Sequence, residues 1–468
     1  MKNIFKTKTC KIILIILVSA IAISSFSVGI VGYVYSNRKT AVVVIPGLLC
    51  SAIQDVDNGD IYYDPIDSDT YGFSFDTLST NKIYSMIFDI VTKTDILSQL
   101  NDVLDNAGDT FLDKFELNEK GEPIYNSAAI QWDHDGYAKY GAMTVMKNPY
   151  DYFYNRFKDK KNYDTFVFQY DWRRDNRIAA EQLVEATKEY DDVIIVAHSM
   201  GNIVTSLALA NFESFRKKVI LNCSYAAPYL GSYSALNILE YGEKTVDDLL
   251  AMGGDFVENI SIKAVKTMLG NLLDNATTVC HERVLPIFRK MPGIVQLLPT
   301  IDIVCPDGVN SSITVNGTPI TTKEQLLNYY KSCFWAHENN DLNNPIRPWV
   351  DDLDEYWNSF YVNGVHASQL VNTYYFAGVD VNTVNSANIT KDENQIVTSF
   401  VTTSDRGDGT VLYSSASLGL NEKVLDTEGY IHTALGTAFV ENLVTSQTEE
   451  ALESINTPFK VLSNKPKK

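Results

Sequence analysis

The sequence predicts an α/β fold in which helices flank a mostly parallel central sheet. Two apolar runs, AVVVIPG at residues 41–47 and VIIVAHSMG at 193–201, are typical of strands buried on both faces. The second run is followed by NIVTSLALA, whose apolar residues recur at helical spacing. Further strand-like runs lie at residues 163–175, 218–232 and 372–380. Such alternation of apolar strands with helices indicates a parallel sheet covered on both faces.

The run VIIVAHSMG places Ser199 between the predicted strand and the predicted helix. Two small residues, Ala197 and Gly201, flank the serine as in the GxSxG nucleophile elbow, with alanine in place of the first glycine. Larger side chains there would collide with the neighbouring strand and helix. The helix N-terminus would also favour the negative charge of an acyl-transfer intermediate. The alternative is that Ser199 only caps the helix, but pattern and context favour a nucleophile in an α/β-hydrolase fold.

A serine nucleophile needs a histidine base and a carboxylate that orients the base. In an α/β-hydrolase these residues follow one another as nucleophile, acid and histidine. Of the six histidines, only His432 follows the Gly-rich acidic turn that contains Asp405 and Asp408. Asp408 is favoured because it lies between two glycines, whereas Asp405 is more typical of a solvated turn residue. The predicted catalytic residues are Ser199, Asp408 and His432, and His198 is expected to pack under the elbow.

Two backbone N–H groups are candidates for the oxyanion hole. Leu48 follows Pro46-Gly47 at the end of the first strand, and Met200 follows the nucleophile directly. The loop after an early strand and the residue after the serine supply these donors in α/β-hydrolases. The alternative for Pro46-Gly47 is a plain turn that ends the strand.

The N-terminal segment predicts that the rest of the chain is exported across a membrane. Residues 1–11 carry four lysines and form a basic cytoplasmic N-terminus, whereas residues 12–36 carry no charge. As a helix, the uncharged segment would extend about 37 Å, which exceeds the roughly 30 Å hydrocarbon layer. We expect a transmembrane signal-anchor, with the catalytic domain on the extracytoplasmic side. The alternative is a long signal peptide, whose cleavage would release a secreted protein.

The rest of the chain divides into a core, a cap and a tail. The α/β-hydrolase core is assigned to residues 40–232 and 371–450, with an insertion at about 50–160. Residues 233–370 lack the alternation of strands and helices and are assigned to a cap or lid domain, since lids of such folds are inserted between later strands. Residues 451–468 form a C-terminal tail.

The net charge and the spacing of the cysteines restrict which partners, metals and cofactors the protein could bind. The net charge of −19 argues against nucleic acid as a partner and against binding to anionic lipid by charge alone. No CxxC pair or metal-finger spacing occurs, and an acidic stretch at residues 55–64 fits a hairpin turn at Asn58-Gly59 better than a calcium loop. We therefore expect neither a metal nor a cofactor. Pairing among Cys280, Cys305 and Cys333 stays open beside the alternative of buried thiols.

Several motifs together resemble the lecithin:cholesterol acyltransferase family, including its lysosomal phospholipase branch. They are PG (46–47), YDWRR (170–174), AHSMGN (197–202), AAPYLGS (226–232), GDGTV (407–411) and the late His432. The resemblance implies an α/β-hydrolase with a cap and lid, no metal, a triad of Ser199, Asp408 and His432, and Leu48 and Met200 as oxyanion donors. It also implies cleavage of an acyl ester of a phospholipid or related lipid, with transfer of the acyl group to water or an alcohol.

The expected function is therefore that of a serine-dependent lipid acyl-ester hydrolase or acyltransferase, of the phospholipase A or phospholipid acyltransferase type. The expected partners are a lipid or ester substrate and a membrane, which the N-terminal anchor and the cap or lid would contact. Two alternatives remain at this point. One is a broad-specificity carboxylesterase or triacylglycerol lipase, because the elbow alone does not select the substrate. The other is a catalytically inactive, surface-anchored binding protein that retains the fold.

Overall fold

A computed structural model describes residues 38–59, 61–63, 114, 116–118, 120–130, 144–240, 285–336, 347–394, 397–428, 432 and 444–455. Its strands are β1 (Thr40–Ile45), β2 (Ile53–Asp55), β3 (Ile61–Tyr63), β4 (Ser127–Ala129), β5 (Tyr163–Val167), β6 (Asp192–His198), β7 (Val219–Tyr225), β8 (Ile313–Val315), β9 (Thr318–Pro319), β10 (Tyr361–Val362), β11 (Val365–His366), β12 (Thr373–Gly378), β13 (Val381–Lys391), β14 (Val397–Gly407) and β15 (Val424–Thr427). Its α-helices are α1 (Thr144–Phe157), α2 (Asn176–Ala186), α3 (Met200–Asn211), α4 (Glu213–Lys218), α5 (Leu285–Phe288), α6 (Pro292–Val295), α7 (Ile301–Val304), α8 (Lys323–Ser332), α9 (Arg347–Asp351), α10 (Leu353–Asn358), α11 (Tyr413–Ser417) and α12 (Thr445–Ile455). Two 3₁₀ helices lie at Phe334–Ala336 and Ala367–Leu370.

The central sheet is parallel. Within the described ranges it contains six strands in the order β15-β12-β7-β6-β1-β5, and every neighbouring pair runs in the same direction. The elbow strand β6 lies between β1 and β7. The predicted α/β-hydrolase fold, a mostly parallel sheet flanked by helices, is confirmed.

Alternate residues of the strands pack against helices on opposite faces of the sheet, as the twofold periodicity of a strand requires. In β1, Val42 and Val44 share a core with the aromatic residues of α1 and with α12. Ala41 and Val43 belong to the other core, together with the apolar residues of α2 and α3. Burial of both faces explains why the strand runs of the sequence are almost continuously apolar.

A second sheet contains strands from two parts of the chain, one between β7 and β12 and one between β12 and the predicted acid Asp408. Its four strands have the order β14-β13-β8-β9. The long antiparallel hairpin β13–β14 follows β12 directly, and β13 pairs in parallel with β8. The sheet thus joins β8 and β9 from the predicted cap, residues 233–370, to a hairpin from the predicted core.

The predicted segment boundaries stay predictions, but two of the predicted segments contribute helices that pack against the central sheet. Helix α1 falls within the predicted insertion at about 50–160, yet its Phe153 is fully buried against the central sheet, so this helix belongs to the core. The predicted tail at 451–468 begins inside α12, where Ala451 and Leu452 are buried in the same core. In both places apolar side chains at helical spacing cover a face of the sheet. The hairpin predicted at Asn58-Gly59 is present, since β2 and β3 pair in antiparallel fashion around it.

The predicted N-terminal segments 1–11 and 12–36 lie outside the described residues, so the anchor and the cleaved signal both stay predictions. No helix in the described part of the chain combines the length and apolarity needed to cross a bilayer. Among the described residues, Cys223, Cys305 and Cys333 are buried thiols outside any disulfide. Cys50 is also buried, and its Sγ lies 3.3 Å from the Leu48 carbonyl oxygen. Cys280 lies outside the described residues.

Candidate functional site

Ser199 lies in a strained turn at the carboxyl end of β6. Its backbone has φ 52° and ψ −126°, which is unusual for a residue other than glycine, and α3 begins at the next residue. The Ser199 N–H donates to the carbonyl oxygen of Tyr225 at 2.9 Å. The Ser199 hydroxyl makes no cap bond to α3. Ser199 thus occupies the N-cap position of α3, but its side chain does not cap the helix.

The first turn of α3 passes close to the end of β1. A Cβ atom on Gly201 would lie 2.6 Å from the carbonyl oxygen of Ile45 and 2.7 Å from that of Pro46, so only glycine fits. Asn202 braces the same turn, because its side-chain amide donates to the carbonyl oxygens of Ala197 and Tyr225 at 3.1 and 3.0 Å. The turn is thereby held against both neighbouring strands.

Three side chains that are far apart in sequence meet at this turn. The Ser199 Oγ lies 2.9 Å from Nε2 of His432, and His432 Nδ1 lies 2.8 Å from Oδ2 of Asp408. Because a carboxylate can only accept a hydrogen bond, Nδ1 carries the ring proton and Nε2 accepts from the serine hydroxyl. The structure thus brings together the three residues that the sequence singled out, with the serine 8% and the aspartate 3% exposed.

Asp408 is held by both its carboxylate and its backbone. Its Oδ1 accepts from the backbone N–H groups of Thr410 at 3.0 Å and Val411 at 2.7 Å. Burial would raise the pKa of Asp408, but the His432 ring and these N–H groups outweigh burial and hold the pKa below its ordinary value. The His432 N–H also donates to the Asp408 carbonyl oxygen at 2.7 Å. Asp405, the other candidate acid, is exposed on β14 and pairs with Thr383 there.

His198 is buried beside His432. Its Nε2 lies 3.1 Å from the carbonyl oxygen of His432, and the two ring centroids are 4.8 Å apart. Burial lowers the pKa of His198 to about 3, and repulsion from the His432 ring adds to this effect. The expected packing under the elbow is confirmed, but the contact with His432 was missed, since the two residues are 234 positions apart.

The loop that carries the predicted oxyanion donor Leu48 lies beside Ser199. A Cβ atom on Gly47 would come within 2.8 Å of the Ser199 Cβ, so the absence of a side chain permits this approach. Met200, the other predicted donor, is the first residue of α3 and is fully buried. Leu48 therefore follows a residue that approaches Ser199 closely, and Met200 follows Ser199 itself.

Residues after β5 fasten the same loop. The Tyr170 hydroxyl donates to the Pro46 carbonyl oxygen at 2.9 Å, and the Trp172 indole N–H donates to the Ser51 carbonyl oxygen at 3.1 Å. Arg173 is fully buried and pairs with Asp171 at 2.7 Å. These contacts give the YDWRR run a structural role at the end of β5. No residue pattern indicates that the run supports the loop that ends at Ser51.

In the described part of the chain, no group of three or more His, Cys, Asp and Glu side chains is arranged to hold a metal ion. The chemistry that the site can perform is that of a hydroxyl, an imidazole and a carboxylate in a line.

The chain is similar to one family model and to a chain of known structure. A family model for lecithin:cholesterol acyltransferase matches residues 109–430, which is more than half of the chain. No curated protein gives a significant match. Among solved structures, a chain in the crystal structure of the Tle4-Tli4 complex aligns with a TM-score of 0.48 and 11% identity, over 89% of this chain and 99% of that one. On the strength of the family match, this chain belongs to the lecithin:cholesterol acyltransferase family.

Proposed function

We propose that this protein is a serine-dependent lipid acyl-ester hydrolase or acyltransferase of the phospholipase A or phospholipid acyltransferase type. Family membership supports the coarse activity, which is hydrolysis or transfer of lipid acyl esters. The proposal adds a mechanism through an acyl-enzyme on Ser199, with His432 as the base and Asp408 as the acid that orients it.

The observation that carries the proposal is the hydrogen-bonded line from Ser199 through His432 to Asp408, at 2.9 and 2.8 Å. As the Ser199 Oγ forms a bond to the ester carbonyl carbon, His432 Nε2 takes the hydroxyl proton. The protonated ring then gives this proton to the departing alcohol oxygen as the ester bond breaks. Water or an acceptor alcohol attacks the acyl-enzyme, with the same ring as base, and frees Ser199.

Charge develops at two points during these steps. Asp408 stays ionised because its pKa is held low, so its carboxylate stabilises the positive charge on His432. The negative charge on the carbonyl oxygen would be met by the backbone N–H groups of Leu48 and Met200. Since the serine and the aspartate are both nearly buried, these interactions act with little screening by solvent.

A fluorophosphonate probe and a Ser199→Ala variant test the nucleophile. The wild type should be labelled at Ser199, and the variant should lose both labelling and ester turnover. Ser206→Ala is the matched control, because Ser206 is a buried serine of α3 whose hydroxyl donates to the Asn202 carbonyl oxygen. Full turnover in Ser199→Ala would refute the mechanism. Absence of both labelling and ester turnover in the folded wild type would instead favour the inactive binding protein.

Substrate profiling tests the lipid class. Phospholipid vesicles, triacylglycerol emulsions and short-chain p-nitrophenyl esters should be compared at matched ester concentrations, with and without an added alcohol. Lipid mass spectrometry should detect lysophospholipid, together with free fatty acid or a new acyl ester. Preference for p-nitrophenyl esters or triacylglycerol, with phospholipid untouched, would instead favour the carboxylesterase or lipase alternative.

We also propose that the catalytic part of the chain lies on the extracytoplasmic side of a membrane. Support comes from the lysines of residues 1–11 and the uncharged residues 12–36. Protease protection in sealed vesicles tests this orientation. N-terminal sequencing of the native protein separates a retained anchor from a cleaved signal peptide.

A further inference from the structure

We propose that His198 is a positioning residue for His432, and that its ring N–H fixes the base relative to the nucleophile. This inference rests on the proposed function. It assigns a catalytic purpose to a side chain that belongs to the elbow strand β6 and neither touches the reacting atoms nor occupies a place in the Ser-Asp-His line.

The tautomer of His198 follows from its partner. Its Nε2 lies 3.1 Å from the carbonyl oxygen of His432, and a carbonyl oxygen can only accept. The Nε2 atom therefore carries the proton and donates it. The Nδ1 atom is buried without a hydrogen-bond partner among the described residues and faces Gly47. Of the two ring nitrogens of His198, Nε2 therefore donates to His432 and Nδ1 makes no hydrogen bond within the described part of the chain.

The backbone of His432 is held by two elements at once. Its N–H donates to the Asp408 carbonyl oxygen at 2.7 Å, and its carbonyl oxygen accepts from His198. The first contact fixes the base relative to the acid. The second contact fixes His432 relative to His198, which immediately precedes Ser199. The positions of the nucleophile and the base are therefore both set by the end of β6.

A neutral side chain suits this task. Burial and the neighbouring His432 ring lower the pKa of His198 to about 3, so His198 stays uncharged at neutral pH. It therefore donates without adding a second positive charge next to the ring that must accept the serine proton. A lysine or arginine at the same place would donate equally well but would oppose protonation of His432.

The test compares variants that differ in where they can place an N–H group. His198→Leu removes the donor. His198→Gln carries an amide N–H at about the reach of Nε2, whereas the amide of His198→Asn ends near the position of Nδ1. We expect kcat to fall roughly tenfold to a hundredfold in the Leu and Asn variants with KM within twofold, because small displacements of a catalytic group have costs of this size. The Gln variant should recover kcat to within a few fold of wild type.

Fluorophosphonate labelling supplies a second readout. The amplitude of labelling counts folded active sites, and its rate reports the reactivity of Ser199 without any lipid substrate. The rate should fall with kcat in the Leu and Asn variants and recover in the Gln variant. His366→Asn is the matched control, since it removes another histidine that is 2% exposed, and it should leave the labelling rate unchanged.

Three results would overturn the inference: equal kcat in the Gln and Asn variants, a change confined to KM, or a wild-type labelling rate in His198→Leu. Its failure is distinguishable from failure of the proposed function. If Ser199→Ala is inactive while His198→Leu keeps the wild-type kcat, only the positioning role is refuted. If Ser199→Ala remains active, the mechanism itself is refuted.

Discussion

Two buried imidazoles, those of His198 and His366, should make the protein less stable in mildly acidic solution. Each is only 2% exposed, and burial lowers the pKa of each from 6.5 to about 3. The unfolded chain binds a proton at each histidine once the pH falls below 6.5, whereas the folded protein does not until about 3. Stability is therefore fully present above the unfolded pKa and falls with decreasing pH across this window.

The size of the effect follows from the width of the window. Between pH 7 and pH 5, each histidine should lower the free energy of unfolding by about 2 kcal/mol, or about 4 kcal/mol together. Urea unfolding followed by tryptophan fluorescence at the two pH values measures this loss. His366→Asn isolates one contribution, because its side-chain oxygen can accept from Ser368 as His366 Nδ1 does at 3.3 Å. The loss between pH 7 and pH 5 should shrink by about half in this variant. An equal loss in the variant and the wild type would refute the reasoning.

Further substitutions test the packing of the elbow, a buried ion pair elsewhere in the fold and the support of the loop after β1. Gly201→Ala should destabilise the fold by about 1–3 kcal/mol, because its Cβ would meet fixed backbone oxygens; an unchanged melting temperature would contradict this. Lys391→Met should lower the free energy of unfolding by about 3–5 kcal/mol, because it leaves the buried carboxylate of Glu240 without its ion-pair partner. Adding Glu240→Gln should restore part of that loss in urea unfolding, and a further loss would count against the explanation. Trp172→Phe removes the hydrogen bond from the indole to Ser51. In steady-state kinetics this variant should lower kcat more than it changes KM. A wild-type kcat would show that the indole does not support the loop.

The sequence predicted the parts of the fold whose residues are buried on both faces. β1 and β6 are apolar at almost every position, and their burial explains the signal. The hairpin β13–β14 was not predicted. Most of β14 is exposed, and its residues VTSFVTTSDRG show no regular alternation. A strand that covers little apolar surface leaves little periodicity in its sequence.

The same reasoning applies to the candidate site. The positions of Ser199, Asp408 and His432 were accessible from the sequence because each lies in a turn motif with a fixed order along the chain. The contact that His198 makes at the site could not be predicted, and neither could the ion pair of Lys391 elsewhere in the fold. His198 reaches a backbone oxygen, which no residue type reveals, and Lys391 pairs with Glu240 across 151 positions of chain. Contacts of this kind depend on tertiary packing rather than on local pattern.

The pairing of β13 with β8 has a consequence for exchanging parts of this enzyme with those of relatives. Ala387, Asn388 and Ile389 of β13 are in register with Ile313, Thr314 and Val315 of β8, and β14 ends at the residue before Asp408. A chimaera that replaces residues 233–370 therefore also replaces the strand on which the acid-bearing hairpin rests. Such a graft must preserve the β8 edge, or substitute the hairpin with it, if the carboxylate is to stay within reach of the imidazole.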